Sequence, residues 1–122
     1  MNTISQKREL GKYSRHKDWF DVGIVAISCT DHNRLQEAIE RIGGVNLVND
    51  DGFSLIHAAV VASKPTMVSK LLDYYHADPC VIDGNGRTAL ELCESLMPNA
   101  SSRRYRQLEK VRTVLVDRLW NT

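Results

Sequence analysis

The chain has 122 residues, 43% of them hydrophobic and 25% charged, with a formal net charge of +1. That length suits one domain, and the composition excludes a disordered tail, a collagen and a disulfide-dense miniprotein. The near-neutral total conceals a pattern. Residues 1–20 carry five basic and two acidic side chains, residues 21–100 five and eleven, and residues 101–122 six and two, so an acidic centre lies between basic ends.

Residues 1–17 contain no long apolar run and do not read as a signal peptide; they form a basic N-terminal segment or an extra helix. No stretch of the chain approaches the ~18–20 apolar residues of a membrane span. From residue 18, Val22, Val25, Ala26 and Cys29 recur at helical spacing and predict a first helix over about 18–29. Asp31-His32-Asn33 can start a second helix carrying Leu35, Ala38, Ile39 and Ile42, which Gly43-Gly44-Val45-Asn46 ends.

Asn49-Asp50-Asp51-Gly52 is a turn cluster: Asn and Asp bond their own backbone, and Gly accepts positive φ. Ser54 follows as a helix cap, and Leu55 to Ala62 is a small, apolar helical stretch. Pro65 opens another helix, whose Thr66, Met67, Val68, Leu71 and Leu72 are spaced for one buried face, and Pro79 marks the exit. A second turn, Asp83-Gly84-Asn85-Gly86, leads through the cap Thr88 into a helix from Ala89 to Met97. After a loop around residues 98–104, a long closing helix over about 102–119 presents Tyr105, Leu108, Val111, Val114, Leu115 and Leu119.

These segments repeat. Gly86 follows Gly52 after one period of about 34 residues, and Ser54-Leu55-Ile56-His57-Ala58-Ala59 superimposes on Thr88-Ala89-Leu90-Glu91-Leu92-Cys93. With Leu71-Leu72 and Ala77-Asp78 downstream, the chain resembles an ankyrin-repeat protein, whose period is about 33 residues and whose signature is T-P-L-H-x-A. Leu55 and Ala89 replace the signature Pro, and Glu91 replaces the His. The resemblance implies an all-α, ankyrin-type solenoid of helix-turn-helix repeats joined by short hairpin-like turns. About three repeats (about 18–50, 51–84 and 85–122) make one domain, with polar end units as caps.

The three cysteines, Cys29, Cys80 and Cys93, form no C-x-x-C, which disfavours a disulfide framework and a zinc site and suits a reducing, cytoplasmic setting. The same sequence would also suit delivery into a host cell by a route that needs no cleaved signal. Cys80 and Cys93 read as packing thiols. His57 is the one candidate catalytic base; within the resemblance it is structural, bonding neighbouring turns. His16, His32 and His76 are scattered without ligand spacing. Asp50/Asp51 and Glu91/Glu94 read as solvated surface charge. No cofactor, metal site or catalytic residue is expected.

Ankyrin-like stacks bind other macromolecules, most often proteins, on a concave face of turn tips and first-helix ends. Carried onto this sequence, the family's variable positions are Asp50, Asp51, Phe53, Val61 and Ala62, then Gly84, Asn85, Arg87, Ser95 and Leu96. The expected function is a small adaptor or inhibitor that masks one protein partner with a basic patch, steered by the acidic centre. The alternative is a nucleic-acid contact by Arg103, Arg104 and Arg106, clustered with Tyr105 on the closing helix.

Overall fold

A computed structural model of the chain describes residues 16–120. Those residues are all-helical, with no strand among them. The helices are α1 (His16–Cys29), α2 (His32–Ile42), α3 (Leu55–Val61), α4 (Pro65–Asp73), α5 (Ala89–Leu96) and α6 (Ser102–Trp120), with a 3-10 turn at Met97–Asn99. The expected basic segment over 1–17 lies outside the described residues apart from His16 and Lys17, which open α1. Among the described residues no helix is long and apolar enough to cross a membrane.

Local chemistry sets the helix ends. The Asp31 carboxylate accepts from the backbone N–H of Arg34 at 3.0 Å and caps α2, which Gly43 ends at φ 92°. Ser54 caps α3 through the N–H of His57, and Thr88 caps α5 in a reciprocal box with Glu91. Pro65 supplies the first residue of α4, where a missing N–H costs nothing.

Each helix packs against its chain neighbour, α1 on α2, α3 on α4 and α5 on α6; α3 also touches α1 and α5, and α4 touches α6. The three pairs share one core, in which Leu35, Ile42, Leu55, Met67, Leu71, Leu108 and Leu115 are fully buried. Helix α3 has only seven residues, of which all but Val61 are buried. A helix that short is unstable alone in water, so its neighbours hold it in place.

The connections repeat as the sequence does. Thr30 leaves α1 at φ 56°, its N–H donating to Ile27 O while Asp31 N–H donates to Ala26 O. One period later, Ser63 leaves α3 at φ 56° with the same pair of bonds, to Val60 O and Ala59 O. His76, at φ 58°, leaves α4 where Gly43 leaves α2.

The buried face of α1 differs from the expected one. Trp19, Phe20, Ala26 and Ile27 are buried, whereas Val25 is 60% exposed and Cys29 is also exposed. Asp21 and Ser28 share the exposed side of this helix, opposite Trp19, Ala26 and Ile27, while Val25 and Cys29 flank that polar side. The contact with α3 fixes the buried side: a Cβ at Gly23 would stand 3.0 Å from Leu55 Cδ2, so the glycine lets the two helices approach. On α6, Leu108, Val111 and Leu115 are buried as expected, while Tyr105 is exposed.

The turns meet at Gly52, whose carbonyl accepts from Gly84 N–H at 2.9 Å. Gly52 has φ 81°, and a Cβ there would lie 2.7 Å from Gly84 Cα; Gly86 has φ 74° but open space around it. Gly86→Ala should therefore cost about 1 kcal/mol for the left-handed backbone alone. Gly52→Ala should cost more, on the order of 3 kcal/mol, because the turns must also separate. Urea unfolding of both variants checks this, and equal losses would show that the turns do not touch.

Candidate functional site

The most elaborated surface is the pair of turns that precede α3 and α5. In the first, Asn49 Oδ1 accepts from the N–H groups of Asp51 (3.0 Å) and Phe53 (2.9 Å), while the Asn49 backbone bonds Gly52 and Phe53. In the second, Asp83 Oδ1 accepts from Asn85 and Arg87 N–H, both at 2.9 Å, and the Asp83 backbone bonds Gly86 and Arg87. The two turns, about 34 residues apart in the sequence, thus have the same hydrogen-bond pattern. One is organised by an amide, the other by a carboxylate that also pairs with Arg87 Nε at 3.3 Å.

His57 joins the turns. It is fully buried on α3, with Nδ1 2.7 Å from Ser54 Oγ and Nε2 2.8 Å from the Arg87 carbonyl oxygen. A carbonyl only accepts, so Nε2 carries the proton and Nδ1 accepts from the Ser54 hydroxyl. The same Ser54 oxygen accepts from His57 N–H at 3.3 Å. Both ring nitrogens are thus occupied by protein, which leaves no proton position open to a substrate.

The structure brings Asp50, Asp51, Phe53, Asn85 and Arg87 together around a cleft of about 320 Å³ between the turns. Asp50, Asp51 and Asn85 are exposed, and Gly84 lines the same cleft. Phe53 is half-buried against the core and Arg87 is half-buried against Asp83. Val61, Ala62, Ser95 and Leu96 lie at the far ends of α3 and α5, roughly 10 Å from the turns at the rise of a helix. Val61 is 40% exposed, and Ser95 Oγ donates to Leu92 O. The candidate residues therefore form two groups, one at each end of the α3 and α5 pair.

Val48 and Ile82 did not stand out in the sequence. Each precedes a turn residue, Asn49 or Asp83, and they are 43% and 55% exposed. The signal that could have found them is the repeat itself, which pairs two branched apolar residues at the same exposed turn position.

Arg103, Arg104 and Arg106 do not form one row. Arg104 is half-buried, its Nε donating to Ser63 Oγ at 3.0 Å and its terminal nitrogen to Val61 O at 2.8 Å, which caps the end of α3. Arg103 lines a cleft beside it and Arg106 does not. Arg104 is thus tied to α3, while Arg118, on the surface, grips both carboxylate oxygens of exposed Asp73 at 2.6 Å and bonds Asp117.

The thiols divide. Cys93 is buried, its Sγ donating to Leu108 O, and burial pushes its pKa up to about 11. Cys80 is exposed, contrary to the expected packing role, because its position lies in the loop that leaves α4 rather than in a helix. Glu91 is spent on the α5 cap. Among the described residues, no group of three or more His, Cys, Asp or Glu side chains is placed to hold a metal ion. No protein-family model and no curated protein matches this chain.

Two carboxyls are held below their ordinary value of 3.8. For Asp73 the main cause is the Arg118 hydrogen bond. At Asp83 burial alone would raise the pKa, but the Arg87 and Asn85 N–H groups and the Arg87 guanidinium overcome it. A depressed carboxyl stabilises the fold above its unfolded pKa and loses that stabilisation as pH falls through its folded pKa. The protein should therefore weaken below about pH 4. Asp83→Asn, which copies Asn49, should keep the turn and flatten that acid limb in denaturant titrations at stepped pH. An acid limb as steep as the parent's would show that Asp83 does not drive it.

With a thiol reagent, Cys29 and Cys80 should react in the folded protein and Cys93 only after denaturation. Rapid labelling of all three would contradict the burial of Cys93.

Proposed function

We propose that the chain is a short ankyrin-type repeat stack that binds one partner protein on its turn face, and that it does so without catalysis. The observation that carries this reading is the matched pair of turns. They share one hydrogen-bond pattern and are locked together by His57 and by the Gly84–Gly52 bond. The locked pair holds Phe53, Asp50, Asp51, Asn85 and Arg87 around one cleft. A rigid backbone with variable tips is what a recognition surface needs, because ordering it on binding costs little.

The chemistry of the face defines the partner. Half-buried Phe53 and the exposed Val48 and Ile82 supply apolar anchors, and Asp50 and Asp51 supply an acidic rim. The complement is a surface with an apolar centre and a basic edge, approached by electrostatic steering. Val61, Ala62 and Ser95 extend the contact along α3 and α5. Binding there would mask the partner, as an inhibitor or adaptor does. The three free thiols suit a reducing compartment such as the cytoplasm. The nucleic-acid reading is weaker, since Arg104 is committed to α3 and Arg106 stands apart from the cleft lined by Arg103.

With a partner captured from native lysate, Phe53→Ala, Asp51→Lys and Ile82→Asp should each weaken binding more than about tenfold; the two changes at exposed positions should leave the unfolding midpoint nearly unchanged, whereas Phe53→Ala should also lower it because its ring packs on the core. Unchanged affinity in all three would remove the turn face as the interface.

A further inference from the structure

The opposite end of α3 carries a second cleft, of about 520 Å³, where the exits of α3 and the start of α6 meet. Lys64, Arg103 and Arg104 line it, with hydroxyls from Ser63, Thr66 and Ser101, and its lining contains no carboxylate. Arg104 is held in place by Ser63 Oγ and Val61 O, so its capping of α3 explains its position. Nothing among the described residues accounts for the other two cations. Among the described residues neither Lys64 nor Arg103 has an ion pair. Three like charges facing one cleft repel one another, a cost that a bound anion reverses.

We propose that this cleft binds a phosphate monoester. Such a group carries close to two negative charges at neutral pH and three strong acceptor oxygens, which matches three cations and a ring of hydroxyls. A nucleic-acid backbone fits less well. Its phosphates carry one charge each and run in a row, whereas Arg106 does not line the cleft and neither does Tyr105, the aromatic beside it. The guanidinium of Arg104 is already ordered by its bonds to α3, so binding orders only Lys64 and Arg103. The cleft lies at the other end of α3 from the turns and shares only Ala62 with the proposed protein contact.

The test is an NMR titration of the full chain at constant ionic strength. The ligands are inorganic phosphate, O-phosphoserine, a phosphoserine peptide with its unphosphorylated form, and a single-stranded oligonucleotide lacking a terminal phosphate. The monoesters should saturably shift the backbone amides of Ser63, Thr66 and Arg103. Lys64→Ala and Arg103→Ala should each weaken binding about tenfold, and Lys64→Arg should retain it. Arg104 stays intact because its removal would also uncap α3, and circular dichroism confirms that the variants fold. Tighter binding of the phosphopeptide than of O-phosphoserine would assign the group to a partner protein, and equal binding to a small metabolite. The proposal is overturned if no saturable shift occurs, or if both alanine variants bind as well as the parent. Equal binding of the peptide with and without its phosphate, or displacement by the oligonucleotide at equal affinity, would also overturn it.

Discussion

The buried imidazole of His57 is the constraint on which the rest of the arrangement hangs. Its two nitrogens reach in opposite directions, one to the cap of its own helix and the other to the carbonyl of Arg87 in the next turn. Arg87 in turn gives its N–H and guanidinium to Asp83. One continuous chain of bonds thus runs from the start of α3 through Ser54, His57 and Arg87 to Asp83. Each bond is worth only about 1 kcal/mol net, but a buried partner left unmade costs about 1–3 kcal/mol. The network is therefore strict about geometry: either all members meet or several buried polar groups are stranded. That strictness holds the two turns in register and gives the cleft between them a defined shape.

The last helix closes the described part of the molecule by reaching back. Arg104 caps the end of α3 and Arg118 clamps Asp73 at the end of α4, so α6 ties itself to both helices of the preceding pair. Cations at helix C-termini are favourable partners for the dipole and for the last carbonyls. The excess of positive charge in residues 101–122 is thus divided. Arg104 and Arg118 are bonded to the preceding helices, while Arg103 lines the cleft beside Lys64. The acidic centre divides likewise, with Asp83 buried in its turn and Asp50 and Asp51 exposed at the tip of theirs. The molecule has an acidic face at the starts of α3 and α5 and a basic cleft at the far end of α3, two surfaces suited to different ligands.

The helix boundaries were legible because they are written locally. Asp31, Ser54, Pro65 and Thr88 sit one or two residues from the ends they set, and the echo of one turn in the other needs only a comparison of the chain with itself. The anchoring role of His57 was legible through the repeat, since a buried polar group between two turns has few other uses. The two misread thiol and arginine positions have a different character. Cys80 and Arg104 are each compatible with burial or exposure by type, and neighbours distant in sequence decide. Arg104 meets Val61 across 43 residues, a separation that no local pattern encodes.

Read alone, the residues establish the periodic part: where each helix begins, which residues make the turns, and that the units repeat. Those features depend on hydrogen bonds between residues a few positions apart, so composition and spacing suffice. The packed chain corrects the buried set of α1, where Trp19, Phe20 and Ile27 take the place expected for Val25 and Cys29, because the close approach of α3 at Gly23 fixes its orientation. Packing also splits the candidate surface into two groups, one at each end of α3 and α5. And it brings Lys64 and Arg103, far apart in the chain, to a single cleft. Such convergence depends on how helices stack in space, which is a sum of many weak packing contacts rather than a signal carried by any one residue.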